Sequence, residues 1–402
     1  MLFYFNEKSS WLLVFFVHGL VFTFLLLKKG LQNKDQANLW LASFVLLCSL
    51  YICPFMLGYA GWYSDNGYRD FMFYVPFQQL FFLGPIIYFY TQNLLNPSFR
   101  LQREGYIHFL PGTLYLCYSL VVLIGDKLVL KAYYFYADGR DKDLDAWYQW
   151  AGLFSMVFYL ILSLRHYNNY RKLAFETLSF AESVLFRWIQ RYLIAFLIIL
   201  LLRVLFFILN PEWGQFGNKF WYYLCFSILF YYITISGYAN AIQNSLSMQQ
   251  FFSKKDRIIP IEKFLITAST SSKIATDQLP ELQVWKSKLA VLMKEKELFK
   301  TPTLTLTDVA SDLSTTPKQV SQIVNQGFDL NFNDFVNQYR VEEVIKQFEQ
   351  GKHQERTLLA IALESGFNSK ATFNRAFKKH KNSTPQQYLS KMGRKVVENR
   401  DL

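Results

Sequence analysis

Towards its C-terminus the chain reads IALESGFNSK over residues 361–370 and ATFNRAFKKH over residues 371–380, and Thr384-Pro385 and Tyr388 follow. Leu358 to Ser365 predicts a short helix, Gly366 predicts a turn with positive φ, and Ser369 is placed to cap a second helix. Phe373 and Phe377 stand four residues apart on one face of that helix, so we expect them in the core. Two short helices joined by a tight turn predict a helix-turn-helix unit.

A comparable pattern lies upstream. Leu306 to Leu313 predicts one helix, Thr316 is placed as an N-cap, and Pro317 to Gln326 predicts the next helix. Asn333 to Gln350 predicts a long connecting helix that buries its apolar residues and exposes its polar ones. The C-terminal region therefore predicts two helix-turn-helix units on one rod, suited to major-groove segments about one turn apart.

Polar side chains on the outward face of each second helix are the candidate DNA contacts. Amides suit adenine, and lysine or arginine suits guanine. The candidates are Lys318, Gln319, Ser321, Gln322 and Asn325 in the first unit, and Lys370, Thr372, Asn374, Arg375 and Lys378 in the second. Residues 366–402 hold nine basic and two acidic side chains, which favours phosphate contacts, although anionic lipid attracts the same charge. The alternative for each face is plain solvent exposure.

The region from about Leu304 to Leu389 resembles the DNA-binding domain of the AraC/XylS family of transcription regulators. The resemblance rests on Gly366-Phe367, Ser369, Phe373, Arg375, Phe377-Lys378, Thr384-Pro385 and Tyr388. It implies that both second helices enter the major groove, with base-reading positions at Lys318, Gln319, Ser321, Gln322, Ala371, Thr372 and Arg375. Ala371 offers only an apolar contact to a thymine methyl group. The family usually has glycine near Asn382-Ser383, where this chain departs from it.

The first 240 residues are apolar in long runs. The chain is 52% hydrophobic and 19% aromatic, which is high for a soluble protein. Seven stretches reach about the length of a bilayer crossing: Trp11–Leu27, Leu39–Tyr59, Phe71–Leu95, Phe109–Ile124, Trp147–Leu164, Trp188–Leu209 and Phe220–Tyr238. The sequence therefore predicts a seven-transmembrane-helix bundle, in which Gly84-Pro85 would break the third span near its middle.

Lysine and arginine in the loops decide the orientation only weakly. With the C-terminus inside, nine of them fall in inner loops and seven in outer segments. A DNA-binding domain works only where the DNA is. We therefore expect a multi-pass protein of the cell inner (plasma) membrane, with its N-terminus outside and its DNA-binding domain in the cytoplasm.

Ionisable groups inside a membrane span are costly and usually functional. No Asp or Glu occurs in the seven stretches, which argues against ion-coupled transport. The candidates for ligand sensing are Arg203, His18 and Gln78. Arg203 could bind an anionic headgroup or an acyl carboxylate. The alternatives are that Arg203 snorkels to the membrane surface or bonds backbone carbonyls of a neighbouring helix, and that His18 is a neutral ring hydrogen-bonded to another helix.

Three domains are expected: a sensor at 1–240, a linker with an amphipathic helix at 241–300, and the DNA-binding domain at 301–395. In the linker, Lys254 to Arg257 predicts a lipid-surface anchor and Thr267 to Pro280 a flexible tether. Glu281 to Lys300 predicts a helix with one apolar face, which includes Leu289 and Met293. That face could form a dimer seam or pack against the DNA-binding domain.

The sequence thus predicts an all-α, membrane-embedded one-component transcription factor, with double-stranded DNA, membrane lipid, an unknown effector and a second copy of the chain as its expected partners. We expect no enzyme activity, cofactor or metal, because the five histidines are scattered and the four cysteines lie in apolar runs. The alternative is a membrane lipid- or acyl-transfer enzyme with a helix-turn-helix protein-interaction module. A further alternative keeps the helix-turn-helix fold for binding a protein or the membrane surface.

Overall fold

The computed structural model describes residues 3–96, 99–184, 187–209, 217–252 and 282–398. These residues form helices and no strand, apart from an isolated antiparallel bridge between Leu178 and Thr305. The all-α prediction is confirmed. The chain divides into two compact units. The N-terminal unit comprises Met1–Tyr167 and Arg187–Pro260, and the C-terminal unit comprises Asn168–Phe186 and Ile261–Leu402.

Nine helices precede residue 253 in the described part of the chain. They are α1 (Glu7–Asn33), α2 (Gln36–Tyr59), α3 (Asn66–Tyr74), α4 (Leu80–Leu95), α5 (Leu110–Leu123), α6 (Ala146–Thr177), α7 (Ala181–Val184), α8 (Arg187–Val204) and α9 (Lys219–Phe252). A 3-10 helix, Arg103–Phe109, leads into α5, and π-helical turns extend α5 to Val129 and α8 to Leu209.

Six helical segments in the described residues are long and apolar enough to cross a bilayer. They are Glu7–Asn33, Gln36–Tyr59, Arg103–Val129, Ala146–Thr177, Trp188–Leu209 and Lys219–Ile242. Each segment contains one of the seven stretches expected from the sequence. The seventh expected stretch, Phe71–Leu95, forms two helices instead, α3 and the 16-residue α4. A straight helix of 16 residues spans about 24 Å, less than the ~30 Å of a bilayer core, so the count of seven spans is not confirmed.

The break in the third stretch lies at residues 75–79 and includes Pro76. The prediction of a break at Gly84-Pro85 is wrong, since Pro85 lies inside α4. Other side chains satisfy the backbone groups freed at residues 75–79. The Gln78 N–H donates to Asp143 Oδ2 at 2.9 Å, and the Leu80 N–H donates to the Tyr148 hydroxyl at 3.1 Å. Irregular backbone inside an apolar bundle needs such partners.

Small residues let the helices of the N-terminal unit approach closely. A Cβ atom at Gly19 of α1 would lie 2.0 Å from the Ser49 Oγ of α2, and one at Gly152 of α6 would lie 2.6 Å from the Leu80 side chain. In the membrane interior, such close backbone approach supplies packing energy that the hydrophobic effect does not.

The C-terminal unit contains a second set of helices. These are α10 (Leu282–Glu295), α11 (Leu306–Asp312), α12 (Pro317–Gln322), α13 (Phe332–Glu349), α14 (Leu358–Glu364), α15 (Lys370–Lys381) and α16 (Pro385–Glu398). One core joins α10, α11, α12 and the start of α13, and a second core joins the end of α13 to α14 and α15. α13 is therefore the shared rod between two helix pairs.

The amphipathic helix of the linker packs against the first core. Leu289 and Met293 of α10 are fully buried among its residues, and Trp285 and Leu292 pack beside them. This apolar face is thus used within the chain and not free to act as the seam of a dimer. The expected lipid anchor at residues 254–257 and tether at residues 267–280 lie outside the described residues.

Several polar residues of α13 are buried, contrary to the prediction from the sequence. They were expected to be exposed, but Asn333, Asp334, Asn337, Arg340 and Gln347 are buried. Hydrogen bonds explain this burial: Asn337 donates to Asn333, and Arg340 donates to the Asn337 side chain and to the carbonyls of Phe299 and Thr301. Buried polar groups are tolerated when they are paired in this way.

Candidate nucleic-acid interface

The first helix pair is α11 and α12. A capping box between Thr305 and Asp308 begins α11, and Thr316 begins α12 by accepting a hydrogen bond from the Gln319 N–H at 3.2 Å. Val309 and Ala310 of α11 are buried, as is Val320 of α12. The burial of one side of α12 fixes which of its side chains face outward.

The outward side of α12, with the π-helical turn Ile323–Gly327 that follows it, carries the predicted candidates in different degrees of exposure. Lys318 and Asn325 are exposed, whereas Gln319, Ser321 and Gln322 are half-buried. Gln319 accepts a hydrogen bond from the Thr315 hydroxyl, and Asn325 donates to Ser321 at 3.4 Å. These local bonds orient the polar side chains, and Lys318 supplies positive charge at the start of the helix.

The second helix pair is α14 and α15, and its turn depends on glycine. Gly366 has φ +96°, and a Cβ atom there would lie 2.2 Å from the Phe299 carbonyl oxygen. Ser369 caps α15 by accepting from the Thr372 N–H at 3.1 Å. Phe373 and Phe377 are buried in the second core, as predicted.

The end of α15 explains the departure from the usual glycine. Asn382 ends the helix with φ +50°, in the left-handed region. Asparagine adopts this conformation more readily than most residues other than glycine. Thr384 then begins α16, because it accepts from the Gln387 N–H at 3.3 Å while its own N–H donates to Gln387 Oε1 at 3.0 Å.

Five of the six candidates on α15 are exposed: Lys370, Ala371, Asn374, Arg375 and Lys378. The sixth, Thr372, was expected to point outward but is 3% exposed. Its hydroxyl lies 3.0 Å from that of the capping Ser369, so it takes part in the local cap. The structure therefore presents a mainly basic surface on α15 from which Thr372 is withdrawn.

Two of the three candidate sensing residues share a buried network in the N-terminal unit. Arg203 donates to the Gln149 carbonyl at 3.1 Å and to the Gln149 side chain, which in turn donates to Gln78 Oε1 at 2.8 Å. Bonding to a backbone carbonyl of another helix fits the structural alternative for Arg203. A cavity of about 20 Å³ adjoins Arg203 and Tyr51, with room for about one water molecule.

His18 is not part of that network. Its ring lies 4.3 Å from the ring of Tyr231 and 4.5 Å from that of Phe22, between centroids. Its buried Nε2 has no hydrogen-bond partner in the described residues, so the interhelical bond expected there is not found. Aromatic neighbours on α1 and α9 fill the space that a polar partner would need.

Two buried carboxylates next to the broken third stretch, Asp141 and Asp143, were not predicted from the sequence. Asp143 accepts from the Tyr115 hydroxyl at 2.6 Å and from the Gln78 N–H, and Asp141 accepts from the Tyr63 hydroxyl at 3.0 Å and from the Asp143 N–H at 3.0 Å. Burial, with the neighbouring carboxylate, raises the pKa of Asp141, and burial raises that of Asp143. The one available signal was the Asp- and Tyr-rich composition of residues 126–146.

Comparison with known proteins identifies the C-terminal helices. Residues 309–391 match the family model of a helix-turn-helix domain, a range that begins in α11 and ends in α16. No curated protein and no solved structure matches the chain. Residues 309–391 are therefore an AraC-type helix-turn-helix domain, the DNA-binding domain of transcription regulators, in a chain whose N-terminal region is made of long apolar helices typical of a membrane protein.

Proposed function

We propose that this protein is a membrane-embedded one-component transcription factor that binds specific DNA under the control of a signal sensed by its apolar helices. The observation that carries the proposal is the set of exposed polar and basic side chains on α12 and α15, within residues that match a helix-turn-helix domain. Both helix pairs act as helix-turn-helix units, and the shared rod α13 is suited to placing them in successive major-groove segments about one turn apart.

Direct base reading is assigned to residues that can reach a base edge. On α12 these are Lys318, Gln319, Ser321 and Gln322, and Asn325 follows in the π-helical turn Ile323–Gly327. On α15, Arg375 reads guanine or binds phosphate, Lys370 and Asn374 bind phosphate or base edges, Lys378 binds phosphate, and Ala371 contacts a thymine methyl group. Thr372 contributes through the cap of α15 and takes no direct part in the contact.

The domain order proposed for the protein is a membrane sensor at 1–240, a linker at 241–300 and a DNA-binding domain at 301–395. In the proposed topology the broken stretch Phe71–Leu95 also crosses the inner membrane, so that the N-terminus lies outside and the C-terminal domain lies in the cytoplasm, where the DNA is. Reporter fusions test this arrangement: alkaline phosphatase joined after Asp138 should be active, and the same enzyme joined at the C-terminus should be inactive.

Sensing is proposed to occur in the N-terminal unit at the network of Arg203, Gln149 and Gln78. Because the cavity beside Arg203 holds little more than one water molecule, an anionic headgroup or acyl carboxylate would enter only if Arg203 exchanged its bonds to Gln149 for bonds to the ligand. His18 stays a weaker candidate, since it is separate from this network. A homodimer would use surfaces other than the buried face of α10.

The experiment is selection of duplexes from a random-sequence pool by the full chain in lipid nanodiscs. The wild type should enrich one sequence motif, and a Lys318→Ala, Gln322→Ala variant should enrich none. Lys346→Ala, which removes an exposed charge from α13, is the matched control and should keep the motif. Equal enrichment by all three proteins would contradict DNA reading by α12 and favour a protein- or membrane-binding role.

A further inference from the structure

A short piece of chain between α6 and α8 lies within the C-terminal unit. The Ser179 N–H donates to the Leu304 carbonyl at 3.1 Å, and Leu178 forms the antiparallel bridge with Thr305. Asn333 of α13 donates to the Leu178 carbonyl at 3.2 Å. Residues 178–182, called the docking segment below, are thus bonded both to the loop before α11 and to α13.

Arg340 of α13 fixes the start of the docking segment. Its guanidinium donates to the Ser179 carbonyl and to the Ser179 hydroxyl, each at 3.0 Å, and also to the Phe299 and Thr301 carbonyls, each at 2.8 Å. Arg340 is 1% exposed, and burial lowers its pKa to about 9, which leaves it protonated at neutral pH. A buried charged donor with several acceptors holds its partners in a defined geometry.

The other end of the docking segment meets the surface assigned to DNA. The Glu182 carboxylate lies 3.1 Å from Arg375 Nη1 of α15, with the Glu182 side chain 13% exposed and the Arg375 side chain 55% exposed. Burial raises the pKa of Glu182, and the Arg375 charge and a hydrogen bond from Thr372 oppose that rise. Arg375, a candidate DNA contact of α15, and Thr372, which caps that helix, therefore both face an acidic side chain of the same protein.

We propose that the docking segment is an autoinhibitory latch, in which Glu182 occupies Arg375 of α15 and competes with DNA for it. The proposal rests on the proposed function, since it assumes that α15 binds DNA. It adds the means of regulation: the loop between two candidate membrane spans acts directly on the second helix-turn-helix pair.

Competition follows from the chemistry of the pair. The Arg375 guanidinium can bind one bidentate acceptor well at a time: a carboxylate, a phosphate, or the O6 and N7 atoms of a guanine. Pairs with one exposed partner are weak, so the latch lowers DNA affinity by a modest factor and remains reversible.

The position of the latch in the chain couples it to the N-terminal helices. The docking segment follows α6 directly and precedes α8, and both helices are candidate membrane spans. Ser179, held by Arg340, is a fixed point, and Glu182 is three residues further on. A signal that shifts the start of α8 would act on Glu182 and Arg375 before it acts on the Arg340 bonds.

The test compares the DNA affinity of the wild type with that of Glu182→Gln, using full-chain proteins in nanodiscs and a duplex selected by the Glu182→Gln variant. We expect Glu182→Gln to bind about fivefold more tightly, because the competing charge is gone. Glu182→Ala should gain at least as much, since no side-chain acceptor is left for Arg375. Glu176→Gln is the matched control: it removes the same charge from the exposed end of α6, and its affinity should stay near that of the wild type.

A double-mutant cycle separates the latch from general charge effects. In an Arg375→Ala background, Glu182→Gln should bring no gain. An equal gain for Glu176→Gln, or a gain that persists without Arg375, overturns the latch while DNA binding stands. If neither the wild type nor Glu182→Gln enriches any duplex, the proposed function itself fails, and the latch fails with it.

Discussion

At the scale of single residues, Gly366 decides whether the second helix pair can form. Its φ of +96° is strained for any L-residue with a side chain, and its missing Cβ makes room for the Phe299 carbonyl oxygen. We expect Gly366→Ala to lower the free energy of unfolding of the C-terminal unit by about 3 kcal/mol or more. Urea titration of the full chain measures this loss, when unfolding is detected by protease cleavage within residues 282–398.

Gly351 provides the control for that substitution. It also has a positive φ, +78°, but a Cβ atom there meets nothing within 4 Å. Gly351→Ala should therefore cost only the backbone strain, about 1 kcal/mol. Similar losses for both variants would show that the close approach to Phe299 is not what requires glycine at position 366.

Arg340 is the second residue on which the C-terminal unit depends. Arg340→Lys keeps the charge but cannot reach Ser179, Phe299, Thr301 and Asn337 at once, so we expect a loss of about 3 kcal/mol in unfolding free energy by the same titration. Arg356→Lys is the control, because Arg356 and its partner Glu364 are both about half exposed and their pair is worth less than about 1 kcal/mol. A loss for Arg340→Lys no larger than that of the control would contradict the assigned role.

Local sequence signals predicted many of the residues that shape the C-terminal fold. The caps at Thr316 and Ser369, the glycine turn at Gly366 and the buried Phe373 and Phe377 follow from short-range rules. The burial of Arg340 and Thr372 could not be predicted in this way. Arg340 is buried by partners distant in sequence, and Thr372 by the geometry of the helix cap, and helical periodicity describes neither. Helical periodicity alone placed both on exposed faces.

At the scale of elements, α12 and α15 should contribute differently to DNA binding. Gln322→Ala in α12 removes an amide suited to adenine, so we expect a loss of about 1–3 kcal/mol that is confined to the preferred sequence and relaxes one base position. Lys378→Ala in α15 removes a charge, so it should weaken binding to all duplexes and lower the salt slope by about one. Binding isotherms at several salt concentrations distinguish the two. Loss of sequence preference in Lys378→Ala would contradict the assignment.

The loop carboxylates beside the broken third stretch make the N-terminal unit sensitive to pH. A raised pKa means that the folded state binds these protons more tightly than the unfolded chain. The stabilisation that these two protonated carboxyl groups give the folded state is therefore fully present below 3.8, the ordinary pKa of Asp. It is lost as the pH rises through the raised pKa values of Asp141 and Asp143. We expect a higher melting temperature at pH 5 than at pH 8, and a smaller difference in Asp141→Asn.

Asp138→Asn is the control for that pH dependence. Asp138 is exposed and has a lowered pKa, through hydrogen bonding to the Arg140 N–H and to Lys142. Its replacement should leave the difference between pH 5 and pH 8 as large as in the wild type. A pH difference that Asp141→Asn leaves unchanged would rule out the buried carboxylates as its source.

The element that sequence patterns described least well is the third apolar stretch. Hydropathy treats Phe71–Leu95 as one span, because it averages over a window and has no term for backbone hydrogen bonds. The structure breaks it at residues 75–79, where Asp143 and Tyr148 bond to backbone groups from more than 60 residues away. Those partners cannot be identified from residues 71–95 alone.

At the scale of the whole molecule, the chain joins an apolar N-terminal unit to an AraC-type helix-turn-helix domain, and the second unit includes a loop that lies between two candidate spans. The sequence predicted both parts from composition and motif. It did not predict that residues 168–186 belong with the C-terminal helices, because that membership depends on contacts such as those between Ser179 and Arg340.

The most direct measurement is genome-wide footprinting of the intact membrane protein in living cells, beside an Arg375→Ala, Gln322→Ala variant inserted at the same level. We expect a small number of sharp sites for the wild type and their loss in the variant, and these sites would identify the regulated genes. Diffuse or absent binding by a correctly inserted wild-type protein would contradict the central claim that this membrane protein reads specific DNA.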